Sequence, residues 1–480
     1  MLEFFNALSG SPASGDFASV YNPYSGEEVG RVELSNWQNV DTGLAEAYAI
    51  FRDRKRWLSA SQRIEVLEKT VELMKARFED LAVIALSEGG KPLLDSRVEV
   101  TRAIDGVRNC IDLIRNDHGK ELPMCINAAS EGRLAFTHKE PIGVVAALSA
   151  FNHPLNLIVH QVCPAIASGC PVIIKPARDT ALSCFALVDI LKEAGLPEGY
   201  CTALLTDSHE TAEKLVADPR LGFFSFIGSA AVGWRLQSSV APGTRCALEH
   251  GGVAPVIVEA DADLKRAIPS IAKGGFYHAG QVCVSVQRVY VHSSIVDLFA
   301  ETLGKIARNL VVGDPADEKT EVGPLIRQAE NDRVSDWVDE AVAEGAKLVC
   351  GGSKIDQACY QPTVLLNPNP DSKVSTSEVF GPVICVYGYD NLDDAIARAN
   401  SLRVSFQSAV FTQDIDKAMY IQRHLDASAV MVNDHTAFRV DWMPFAGLRE
   451  SGLGVGGIPY SFEEMQVSKL LVIKSPGLKD

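Results

Sequence analysis

The chain has 480 residues, 47% of them hydrophobic and 22% charged, with a formal net charge of −16. Such a length can bury a large core in two or three domains. The acidic balance argues against general binding to nucleic acid or to an anionic membrane, since both demand basic surface. It leaves room for a small basic pocket.

The N-terminal stretch "MLEFFNALSGSPASGDF" lacks the basic and apolar regions of a signal peptide. No apolar run approaches membrane-spanning length; even "IGVVAALSAF" stops at Asn152 and His153. The eleven cysteines show no CxxC pair and no zinc-type spacing, so no metal site is expected. They read as reduced thiols, and the expected location is cytoplasmic.

From about Val40 to Ile114 the pattern is helical. Ser59 or Ser61 caps a long amphipathic run that Gly89 and Gly90 close. "RLAFTHKEPIGVVAAL" is strand-like and broken by Pro141. Strands and helices then alternate to about Glu249: "IGVVAAL", the helix "HPLNLIVHQVCPAIASG", "PVIIK", a helix capped by Asp179 or Thr180, "CTALLT" and "FFSFIGS". Alternation of this kind implies a parallel sheet of βαβ units. A second set follows Gly251, with "APVIVEA", "RVYVHS", a helix near 295–309, "KLVCGG", "VICVYGY" and "SAVMVNDH". The tail "SKLLVIKS" is a late strand that needs a partner outside its own hairpin.

Five places could carry chemistry. Lys175 ends a short strand just before a helix, and Gly228 and Ser229 do the same for another. Ligands of open α/β sheets sit at such carboxyl ends, so a dinucleotide site is plausible despite the missing GxGxxG. Equally, Lys175 is an ordinary strand-end lysine and Gly228 an ordinary turn. Asn152 can point its amide at a developing oxyanion, or simply make an Asx-turn. Glu249, before two glycines, can serve as a general base if burial raises its pKa, or lie exposed near a turn. Cys283 in "HAGQVC" sits in a glycine-containing loop, the kind of N–H-rich setting that a thiolate nucleophile needs. Most cysteines are packing.

In order along the chain, "FNHPLN", "KPARDT", "FIGSAAVG", "LEHGG", "GQVC", "GDP" with "TEVGPLI", "EVFGPV" and "MPFAGLRESGLG" together resemble the NAD(P)-dependent aldehyde dehydrogenase superfamily over nearly the whole length. The resemblance implies that Cys283 attacks an aldehyde, that Asn152 and the Cys283 N–H hold the oxyanion, and that Glu249 activates water against the resulting thioester. It implies further that Lys175 and Glu378 hold the two riboses of NAD or NADP, Gly228 and Ser229 the pyrophosphate region, and Phe380 the nicotinamide-side ribose. His278 is expected to be loop scaffold.

The implied architecture is α/β, with two Rossmann-type parallel-sheet domains and a β oligomerisation arm. A cofactor domain covers 1–120 and 140–251, a catalytic domain 252–462, and the arm 121–139 and 463–480. A homodimer or homotetramer is expected.

Departures from the family pattern guide the finer reading. Family members that use NAD often carry Glu three residues after the lysine. Here Arg178 stands there, and its charge suits a 2′-phosphate, so NADP is expected to be tolerated. The segment "MVNDHTAFRVDWMPFAG" is similar to the branch containing lactaldehyde and phosphonoacetaldehyde dehydrogenases. Arg439 and His435 within it, His153 beside Asn152, and Arg102 on a helix would favour a short aldehyde bearing a carboxylate, phosphonate or sulfonate. A short neutral hydroxyaldehyde is the alternative. Against an anion pocket, Arg102 has Asp95, Glu99 and Asp105 on its own helix as partners, Arg439 has Asp441, and Val282 leaves no third arginine beside Cys283. Retention of Glu249 argues against transfer of the thioester to coenzyme A, and a complete set of groups argues against a catalytically silent binding protein.

Overall fold

The computed structural model describes residues 2–4 and 15–478. Most of the N-terminal stretch read above for a leader lies outside them. Among the described residues no helix is long and apolar enough to cross a membrane.

Two sheets dominate. The first has six strands in the order Gly452–Leu453, Arg245–Glu249, Leu221–Ile227, Val144–Leu148, Val172–Lys175 and Cys201–Ala203. All neighbours are parallel except the short edge pair Leu248–Leu453 and Glu249–Gly452. Val144–Leu148 is buried throughout, as a strand covered on both faces must be. The second sheet has seven strands, Lys347–Cys350, Thr363–Leu366, Val383–Tyr389, Arg288–His292, Pro255–Val258, Gln407–Phe411 and Ala429–Val432, parallel except at its first pair. A smaller antiparallel sheet joins Gln466–Lys474 to Arg133–Pro141 and Glu121–Leu122. The late strand thus finds its partner more than 300 residues away.

Several local expectations change. The long helical run is two helices, Ala60–Ala76 and Phe78–Gly89, broken at Arg77. Ser59 is the cap: it accepts from the Gln62 N–H while the Gln62 side chain accepts from the Ser59 N–H. Gly90 ends the second helix at φ 67°, where a glycine meets no Cβ penalty.

Neither Asp179 nor Thr180 caps the helix Leu182–Glu193. The buried carboxylate of Glu88, from the preceding helical layer, accepts from the N–H groups of Leu182 and Ser183 at 2.6 and 2.9 Å. "CTALLT" divides at Leu204: Cys201–Ala203 joins the six-stranded sheet, and Leu205–Thr206 pairs with Glu28–Ser35.

Candidate active site

Four neighbouring strands of the first sheet end on one side of the molecule, and their carboxyl ends carry Asn152, Lys175, Gly228–Ser229 and Glu249. Loops of the second sheet close over them. Between lies a cavity of about 530 Å³. Its walls include Cys283, Glu249, Asn152, Gly228, Ser229, Glu378, Phe380, Arg102, His153 and Arg439. Residues as far apart in the sequence as Arg102 and Phe445 are therefore neighbours of one space.

The loop before Cys283 is held by strain and by hydrogen bonds. His278 and Ala279 both adopt the left-handed region, φ 49° and 53°, which costs energy for residues with a Cβ. Gly280 follows at φ 70°, and a Cβ there would lie 2.1 Å from the Gly381 carbonyl oxygen. Gln281, 1% exposed, fixes what comes next. Its side chain donates to the carbonyls of His278 and Pro324 and accepts from the Ile326 N–H. Its own carbonyl accepts from the Asn152 amide at 2.9 Å. The oxyanion-donor candidate and the cysteine loop are thereby tied together.

Burial pushes the Cys283 thiol up to about 12, with Arg439 opposing. Burial raises Glu249 as well, again opposed by Arg439. A Cβ at Gly456 would sit 1.9 Å from Glu249 Oε1, so that glycine makes the space the carboxylate occupies. Gly251 does the same for Glu378, whose carboxyl burial pushes up to about 8 and whose Oε1 has no hydrogen-bond partner. His250 is buried and donates from Nδ1 to the Gly228 carbonyl at 2.8 Å, bracing the turn that leads to Ser229.

Lys175 and Arg178 do not line the cavity, although Ala177 and Asp179 do. Lys175 donates to the Pro176 carbonyl, and burial, with Arg178 nearby, brings its amine down to about 8. Arg178 is exposed. His435 stands apart: it packs where a Gly274 Cβ would reach its own Cβ at 2.7 Å, away from the cavity. Both ring nitrogens of the buried His278 lack hydrogen-bond partners, and the ring stacks 6.0 Å from His153.

The arginines pair differently from expectation. Arg102 reaches across to Asp441 at 2.6 Å and leaves the carboxylates of its own helix alone. Asp441 also accepts from His160 Nε2 at 2.7 Å and from the Asn156 amide. Burial alone would raise its pKa; His160 and Arg102 hold it well below the carboxylate range. Arg439 makes no ion pair among the described residues. Its guanidinium stacks 3.6 Å over the Phe445 ring, donates to His160 Nδ1 at 3.3 Å, and leaves Nε without a partner. His160, Lys91 and Gly456 went unnoticed in the sequence because nothing local marks a residue that meets its partner through the fold.

A doubly wound scaffold whose strand ends, thiol, carboxylates and arginines share one cavity defines a nucleotide-dependent enzyme acting on a small polar substrate. The comparisons make that specific. The aldehyde dehydrogenase family model matches residues 11–471, and the chain belongs to that family. It is 39% identical over 454 residues to a 3-sulfolactaldehyde dehydrogenase of Priestia aryabhattai, covering 95% of this chain and 94% of that one. It is 36% identical over 458 residues to a lactaldehyde dehydrogenase of Methanocaldococcus jannaschii, covering 95% and 96%. The crystal structure of aldehyde dehydrogenase 21 from Physcomitrella patens, in complex with the reaction product succinate, superposes with a TM-score of 0.95 at 35% identity over 99% of each chain. The protein is an NAD(P)-dependent aldehyde dehydrogenase.

The cavity suits such a cofactor. The unpartnered Glu378 Oε1 offers an acceptor for a hydroxyl, and the helix Ala230–Gln237, which follows the Gly228–Ser229 turn without a side-chain cap, offers N–H groups for phosphate.

Proposed function

We propose that the enzyme oxidises a short aldehyde bearing an anionic group to its carboxylic acid, with Cys283 as nucleophile. The single observation that carries the anionic reading is Arg439, a guanidinium in the cavity wall with no carboxylate partner. Every other cavity arginine (Arg102, Arg327 and Arg333) already has one. A carboxylate, sulfonate or phosphonate on the substrate supplies the missing charge.

The Cys283 sulfur adds to the carbonyl carbon while its thiol proton passes to solvent, the one net proton the oxidation releases. One N–H of Asn152 is engaged by Gln281, and the second remains for the oxyanion, together with the Cys283 backbone N–H. A nicotinamide bound beside Phe380 and Glu378 would supply the hydride acceptor that turns the substrate carbon into a thioester carbon. Glu249, its pKa raised by burial, takes a proton from water as that water attacks the thioester, and the acid departs as the thiol is restored. Glu378, Phe380, Gly228 and Ser229, which line the cavity, would hold the cofactor, with Lys175 outside it at the end of a neighbouring strand. Exposed Arg178 beside Lys175 favours tolerance of NADP through its 2′-phosphate. The domain and arm boundaries stand as inferred from the resemblance. The exposed outer strand Gln466–Lys474, with Leu470 to Ile473 each 41–51% exposed, favours a homodimer or homotetramer. Eleven unpaired cysteines favour a cytoplasmic setting.

The test is formation of reduced cofactor from NAD or NADP with sulfoacetaldehyde, succinate semialdehyde, phosphonoacetaldehyde, lactaldehyde and propanal, with Cys283→Ala as control. Selective turnover of anionic members, lost in the control, is expected. Preference for lactaldehyde or propanal would overturn the anionic reading.

A further inference from the structure

Lys91 lies between two helices, directly after Gly90, and is 0% exposed. Its ammonium meets two groups. One is Glu99, 3% exposed, with which it forms a buried ion pair. The other is Nδ1 of His153, at 2.5 Å.

The donors and acceptors can be assigned by elimination. Glu99 Oε1 accepts from the N–H groups of Leu155 and Asn156 at 2.9 and 3.0 Å, and Oε2 accepts from Lys91. Both oxygens of this carboxyl are thus taken by N–H donors; burial lowers the Lys91 amine, and the ion pair and hydrogen bond with Glu99 oppose that and favour the ammonium. An ammonium has only protons to offer. His153 Nδ1 must therefore be the bare, accepting nitrogen, and in a neutral ring the proton then sits on Nε2.

We propose that Lys91, held by Glu99, is a positioning residue that locks His153 as the neutral Nε2–H tautomer, a fixed hydrogen-bond donor to the substrate beside Asn152. The proposal rests on the reading above that His153 faces the substrate.

The surroundings act in the same direction. Burial comes first, then the charge of Lys91, with the buried ring of His278 alongside and the charges of Arg102 and Arg439 across the cavity; together they hold the His153 ring well below the usual imidazole range. Glu99, Tyr277 and Asp95 also face this corner; burial raises Asp95 to about 6 with Lys91 opposing, so an inflection that persists when His153 is also replaced belongs to Asp95 and not to the ring. Glu99 in addition accepts from the buried N–H groups that begin the helix Asn156–Ser168, so one carboxylate anchors both the lysine and the loop that carries Asn152 and His153. A neutral donor has a functional consequence. Its hydrogen bond to the substrate is the same at pH 5.5 and at pH 8, where an unrestrained histidine would change charge.

Two measurements test this. In protein labelled with ring-15N histidine, the His153 signals, identified by their loss in His153→Gln, should report a bare Nδ1 and a protonated Nε2, unchanged from pH 5.5 to 8. In Lys91→Met burial still acts but the ammonium is gone, so the Nδ1–H tautomer should appear and protonation should move toward that range. This readout needs no substrate, so it fails or succeeds independently of the anionic reading. In kinetics, KM for the best aldehyde should be nearly flat with pH in the wild type and should acquire an inflection of threefold or more in Lys91→Met. The inflection should vanish in Lys91→Met/His153→Gln. A protonated Nδ1 in the wild type would overturn the proposal. So would a Lys91→Met profile parallel to the wild type at a uniformly higher KM, which is what loss of packing alone gives. Should Lys91→Met not fold, Lys91→Met/Glu99→Gln, which removes both buried charges, carries the same two measurements.

Discussion

Arg102 and Asp441 form a two-bonded ion pair, Nη2 to Oδ1 at 2.6 Å and Nε to Oδ2 at 3.3 Å. Because Arg102 takes Asp441, Arg439 is left to face the cavity without a carboxylate. Asp441 also fixes His160 with its Nε2 proton inward, so that Nδ1 can accept from Arg439. One carboxylate thus organises both arginines.

Asp441→Asn should therefore damage stability and selectivity together. Removing one partner of a mostly buried pair destabilises by about 3 kcal/mol, and His160 loses its reason to present a bare Nδ1. Urea unfolding with bound cofactor absent should show the loss of stability. Steady-state kinetics should show the preference for anionic over neutral aldehydes falling. Wild-type selectivity in this variant would separate Arg439 from the network described here.

The resting thiol should be sluggish. With Cys283 pushed up to about 12 by burial, inactivation of the cofactor-free enzyme by iodoacetamide should accelerate roughly tenfold per pH unit between pH 7 and 9, without a plateau. Arg439→Met removes the opposing positive charge and should slow inactivation at every pH. A plateau near pH 8 would contradict the buried, protonated state.

Glu249 titrates above the ordinary carboxyl range because it is buried. A general base works only when deprotonated, so thioester hydrolysis should fail as pH falls through that raised value, well before an exposed glutamate would protonate. Single-turnover experiments should show acyl-enzyme accumulating at low pH, and Glu249→Gln should accumulate it at all pH values. Release of product at an undiminished rate from Glu249→Gln would remove the base from this residue.

Gly280→Ala places a Cβ 2.1 Å from the Gly381 carbonyl oxygen in a backbone conformation already disfavoured for alanine. The cysteine loop must move, and since a 1 Å misplacement costs about a hundredfold in rate, kcat should fall on that order. Circular dichroism should stay near wild type. Full activity would mean that the loop tolerates rearrangement.

How much of this could be read from the sequence varies with the range of the interaction. The strand ends carrying Lys175, Gly228 and Glu249 were legible because alternation of apolar strands and amphipathic helices is a local pattern. Thr363–Leu366 and Gln407–Phe411 were not: one is flanked by prolines, and the other carries Gln and Ser that the structure buries. The helix starts at Leu182 and Asn156 were misjudged or left uncapped because their caps, Glu88 and Glu99, come from other helices 94 and 57 residues earlier. The same applies to the site. Cys283, Glu249 and Asn152 carry family motifs, whereas the pairing of Arg102 with Asp441 and of Lys91 with His153 exists only once the chain has folded. His435 sits in the right segment, but packing against Gly274 turns it away from the cavity.

The most direct test of the central claim is the ratio of kcat/KM for sulfoacetaldehyde to that for propanal, measured in wild type and in Arg439→Met. A charge-assisted bond to a guanidinium that has no carboxylate partner contributes about 2–3 kcal/mol, so the ratio should fall at least thirtyfold, with the loss concentrated in the anionic substrate. Equal losses for both aldehydes, leaving the ratio where it was, would contradict it and return Arg439 to a purely structural place beside Phe445.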